Sequence, residues 1–145
     1  MFALLAAMSL PLLADAAVLA HTERLEHSGM AYQVTYEPQV RTTAKTIGAA
    51  GGTRTGGQWC RTTTEIAVDR AVRLDDGTPA LTHRLAGRQE LTAQHPGSCE
   101  QNRKALATAE ARQAPLVREQ VRAIAAADRP ALLAQIEAVR AFAVN

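Results

Sequence analysis

The sequence predicts an α+β fold, a small antiparallel sheet of about four strands packed by C-terminal helices. Three observations predict it. Residues 21–95 are rich in Thr, Val and Gly, alternate apolar with polar positions, and carry hairpin signals near Ser28-Gly29 and Asp76-Gly77. Residues 98–143 switch to Ala, Leu, Arg and Glu at helical spacing. The 145 residues, 47% hydrophobic and 21% charged, suffice for one domain with one core and are too apolar for a disordered chain.

The first element is an address. MFALLAAMSLPLL, residues 1–13, is an uncharged apolar run of the length of a signal-peptide core. Ala14-Asp15-Ala16 and Val18-Leu19-Ala20 then offer small-x-small cleavage patterns. The expectation is a signal peptide over residues 1–20, cut after Ala16 or Ala20, ahead of a single α+β domain over residues 21–145. No Lys or Arg precedes the run, so the α-amino group supplies the positive end or the natural start lies upstream. The alternative is an uncleaved membrane anchor, which Pro11 and Asp15 disfavour in a run barely long enough to span a bilayer.

The β-rich half begins with the Ser28-Gly29 turn, which sets Leu25 opposite Tyr32 and puts Tyr32, Val34 and Tyr36 on one face. Pro38 then interrupts, as suits an edge strand or a bend. Thr42 to Ile47 continue as a polar strand, and the Gly-rich residues 48–57 form a connection. The Asp76-Gly77 hairpin gives the firmest register. It pairs Val72 with Leu81, Val68 with Leu85, Ile66 with Gly87 and Thr62 with Leu91 on an apolar face. The other face receives Asp69 opposite Arg84 and Glu65 opposite Arg88, two opposite-charge pairs. A slip of one residue destroys both patterns together.

The helical half opens with Ser98 as a cap and Gln101 completing a capping box. Pro115 marks a break, giving helices over roughly 99–113 and from 115 onward, and Asp128-Arg129-Pro130 restarts the chain once more. Leu132, Leu133, Ile136, Val139 and Phe142 form the apolar stripe of the last piece.

Cys60 shares the parity of Ile66 and Val68, so it points to the apolar face and pairs near Ala93. Cys99 begins the helix that must fold back over that face. With export expected and no other cysteine present, the two form a disulfide, Cys60–Cys99. Trp59 has the opposite parity and is expected to cover the outer face or a sheet edge. Arg70 and His83 fall opposite each other in the middle of the apolar face, where a buried Arg requires a carboxylate from the helical layer. Glu110, Glu119 and Glu137 are the candidates.

Little else points to chemistry. The net charge is +2, with acidic residues interleaved among fourteen Arg and two Lys, so nucleic acid is not expected as a partner. Aromatics at 3% are too few for a base- or sugar-stacking platform. The Gly-rich segment around Arg54 lacks the phosphate-loop and dinucleotide-loop patterns. His21, His27, His83 and His95 show no zinc-like spacing, although His21, Glu23 and His27 lie close together in sequence. Neither Ser28, in a turn, nor Ser98, at a cap, sits in a nucleophile motif.

The functional expectation is therefore a small exported protein with a non-enzymatic binding or structural role in the periplasm or cell envelope, without metal or cofactor. Its partner is an envelope protein or small ligand, met on the outer sheet face around Trp59, Thr63, Glu65 and Arg88. The membrane is a partner only if the leader is retained. The alternative is a ligand carrier or enzyme with a pocket between sheet and helices, where Arg70 and His83 bind an anion.

Overall fold

The structure, a computed structural model, describes residues 19–49 and 57–143. Their elements are β1 (His21–His27), β2 (Met30–Ile47), β3 (Trp59–Leu74), β4 (Pro79–Arg84), β5 (Gln89–Pro96) and one helix, α1 (Arg103–Ala143). The fold is α+β, an antiparallel sheet with a single C-terminal helix against one face. The leader reading over residues 1–20 lies outside the described residues apart from Leu19 and Ala20. Arg54 lies outside them too.

β1, β2 and β3 form an antiparallel meander. Ser28 and Gly29 both have positive φ, 50° and 76°, the backbone of a two-residue turn whose twist matches the strands. Leu25 faces Tyr32 as the turn dictates. β2 runs unbroken for 18 residues, through Pro38. The expected interruption is absent because the β1 pairing ends at His21↔Tyr36, so one side of β2 is an edge at Pro38, where a residue without N–H is tolerated.

The far side of β3 receives two strands end to end. β4 pairs with Asp69–Arg73 and β5 with Trp59–Ile66. The β4 register matches expectation, with Val72↔Leu81, Arg70↔His83 and Asp69↔Arg84, and Leu85 N–H still reaches Val68 O at 3.0 Å. Beyond it the chain loops out, with Gly87 at φ 97°, before re-entering the ladder. β5 is consequently displaced: Leu91 faces Thr64, not Thr62, and Gln89, not Gly87, faces Ile66. The displacement is an even number of residues, so every side chain keeps its face. Cys60 faces His95 in place of Ala93.

The helical half corrects the expectation of several helices. α1 is continuous for 41 residues and contains both Pro115 and Pro130. At 1.5 Å per residue it is about 60 Å long, close to the roughly 50 Å of a 16-residue strand such as β3. Ala-rich sequence on both sides of each proline favours the helix, and from Val117 to Ile136 one face stays anchored to the sheet. Val117, Val121, Ala125, Leu132 and Ile136 are its buried residues. They meet Leu25, Tyr32, Val34, Tyr36, Ile66, Val68 and Val72 in one core. The capping box forms as expected: Ser98 Oγ accepts from Gln101 N–H at 3.2 Å, and Gln101 Oε1 accepts from Ser98 N–H at 3.1 Å.

Candidate functional site

Three features are candidates, and each follows from the parity of β3. Its even-numbered residues, from Cys60 to Val72, are buried beneath α1 or the chain leading into it. The odd-numbered ones face outward.

The first feature is a buried polar cluster. Arg70 is 1% exposed. Its Nη1 donates to Asp128 Oδ2 at 2.6 Å and its Nη2 to Gln135 Oε1. Tyr36, its cross-strand neighbour, donates its hydroxyl to the same Asp128 oxygen at 3.2 Å. Asp128 and Gln135 are seven residues apart on α1, hence on one face, with buried Leu132 between them. The carboxylate is therefore Asp128 and not Glu110, Glu119 or Glu137. Glu137 instead meets His27 Nε2 at 2.9 Å. Burial and the Asp128 charge push the Tyr36 phenol well above its ordinary pKa, so it remains a donor. Arg70 Nε is buried with no partner in hydrogen-bonding reach.

His83 stands opposite Arg70 in the ladder but is exposed on the outermost strand. The two do not converge. Both ends of the guanidinium are occupied by protein groups, an arrangement that ties the middle of α1 to the sheet. His21 stacks on Tyr36 at 6.2 Å and its Nε2 lies 3.9 Å from Glu23. Among the described residues no group of three His, Cys, Asp or Glu side chains gathers to hold a metal ion.

The second feature joins sheet to helix. Cys60 and Cys99 form a disulfide with Cα atoms 4.7 Å apart. Cys99 N–H also donates to Thr46 Oγ1 at 3.0 Å, so the turn before α1 is fixed to β2 and β3 together. Between this staple and Val117 the helix stands off β5. An open groove of about 480 Å³ results, with His95, Ala109, Arg112 and Leu116 in its lining. Neither Arg70 nor His83 lines it.

The third feature is the open face of the sheet. Arg84 makes a two-pronged bond to Asp69, 2.7 and 2.9 Å, which holds that carboxyl below the ordinary range and raises the Arg84 pKa. Arg88 lies 3.6 Å from Glu65. The pairing survives the shifted register because Arg88 sits in the loop between β4 and β5 and reaches back. Trp59 is 43% exposed at one end of this face.

No protein-family model matches the chain, and no similar curated protein or solved structure was found. Function must be read from the molecule itself. A disulfide is compatible with a location outside the cytoplasm. Among the described residues no helix is long and apolar enough to cross a membrane.

Proposed function

We propose that this is a small exported binding protein of the periplasm or cell envelope, in which the uncovered sheet face around Trp59, Thr63, Glu65 and Arg88 receives an envelope partner. The observation that carries the reading is the one-sided fold. α1 buries one face of a five-stranded sheet, and among the described residues nothing is packed on the other, which carries an exposed tryptophan at its rim. Tryptophan and arginine are the side chains that most often anchor protein interfaces. The polar cluster at Arg70 supports a binding module in a different way: both terminal nitrogens of the guanidinium are held by residues of α1, Asp128 and Gln135, so its contribution is to position that helix.

Export is part of the proposal, supported by the apolar leader and by the disulfide. Leu19 packs against the core, which favours cleavage after Ala16 over cleavage after Ala20, because the later cut removes that contact.

The test is a photo-cross-linker placed at Thr63 in the exported protein, with a second placed at the exposed Ala126 on the helix. The reading expects a discrete envelope-protein adduct from the Thr63 site, absent from the Ala126 site and weakened by Trp59→Ala with Arg88→Ala. Equal adducts from both sites, or adducts indifferent to the two substitutions, count against it.

A further inference from the structure

We infer that the free edge of β2, from Gln39 to Ile47, is a strand-addition site for an extended acidic segment of a partner protein. β1 pairs with β2 only as far as His21↔Tyr36, and among the described residues no strand lies against β2 on that side from Gln39 onward. Leu19, two residues upstream of β1, packs on the core. Pro38 closes one end of it. What remains is nine residues, about 30 Å of unpaired backbone.

Charge defines the occupant. Arg41 and Lys45 project from the outer face of this edge, and Lys45 lies directly opposite Arg61 of β3. Like charges opposed across a ladder are destabilising, and none of these three cations has an ion pair among the described residues. Glu65, the neighbour opposite Arg41, is turned to Arg88. There is no acidic residue between Pro38 and Arg61 to relieve them. An added strand with carboxylates at alternate positions sets them directly beside Arg41 and Lys45, and by neutralising Lys45 eases its opposition to Arg61.

The inner face specifies the other positions. Val40, Thr42 and Ala44 are exposed there, Val40 by 41%, because α1 does not cover this corner. Small apolar or β-branched residues of an added strand cover them. A second copy of this chain is a poor occupant, since antiparallel pairing of two such edges about Thr43 sets Arg41 against Lys45. Lysine and arginine on an edge are a known defence against self-pairing, while main-chain bonds supply affinity and alternate side chains specificity once a partner strand is added. The inference goes beyond the open-face reading and does not rest on it.

The experiment uses a fluorescein-labelled nine-residue peptide of alternating valine and glutamate, and the same peptide with lysine for glutamate. Binding to the disulfide-bonded protein is read by anisotropy, and amide hydrogen exchange is followed along β2. The glutamate peptide is expected to bind on the order of tenfold more tightly or better, and to slow exchange at alternate amides between Gln39 and Ile47. In the Arg41→Glu, Lys45→Glu variant the preference should reverse. Three results overturn the inference: no binding by either peptide, no change of exchange in β2, or a preference that ignores the reversal. Exchange over Gln39–Ile47 that is slow in the free full-length chain and released on removing residues 1–18 also overturns it, by showing the edge covered from within.

Discussion

Arg70 is the residue on which the middle of the molecule depends. A guanidinium at 1% exposure has lost its water, and Asp128 supplies the compensating charge. Removing one partner of such a pair leaves the other uncompensated, typically costing about 3–5 kcal/mol. Asp128→Ala is therefore expected to destabilise severely in urea unfolding. Arg70→Met should cost less, because Asp128 keeps the Tyr36 hydroxyl and is itself partly exposed. Combining Arg70→Met with Asp128→Leu should recover most of the Asp128→Ala loss, and additive costs would show that the pair is not coupled. The sequence revealed that Arg70 is buried and needs a carboxylate, because the hairpin register gave its parity. It does not reveal Asp128, because a residue two places before Pro130 reads as part of a break in the helix.

At the open face the Asp69–Arg84 pair gives a pH signature. The folded-state pKa of Asp69 is depressed, so its contribution is present above the ordinary carboxylate range and disappears as pH falls through the folded value. Arg84→Ala should cost a small amount of stability near neutral pH, as for an exposed pair, and that cost should shrink as pH falls through the depressed folded-state value of Asp69. A cost that persists in acid assigns the loss to packing rather than charge.

Among the elements, α1 carries the main lesson. Proline is a strong stop signal because it removes a hydrogen bond and clashes with the preceding turn. Pro115 and Pro130 nonetheless sit inside one helix, because tertiary contacts on both sides hold the axis: Gln113 to Thr64 before the first, Asp128 to Arg70 and Leu132 to the core around the second. Replacing either proline by alanine is expected to raise the thermal midpoint, since up to about 3 kcal/mol of helix preference is recovered at an exposed position. A lower midpoint would mean that the prolines themselves are required for the fit. The outer strand teaches the complementary point. Its split into β4 and β5 was not legible, because nothing marked Leu85 to Arg88 as a loop except one glycine. The faces were legible all the same, since an even displacement preserves parity.

At the scale of the molecule, one disulfide and one helix hold a sheet that, among the described residues, is covered on a single side. The Cys60–Cys99 bond was legible because parity, the turn at Gly97 and the helix start converge on it. Loop closure over its 39-residue separation stabilises by about 4 kcal/mol on the chain-entropy account, so Cys60→Ala with Cys99→Ala should lower the denaturant midpoint by a corresponding amount. The binding partner was not legible, because a surface that recognises another protein needs no motif of its own.

The central claim is that this is an exported, disulfide-stapled module. Its most direct test is the intact mass of the protein expressed with its native leader and recovered from the envelope fraction, before and after reduction. The account predicts a chain beginning at Ala17 whose mass rises on reduction by the hydrogens of one disulfide. A full-length chain with both thiols free would contradict it.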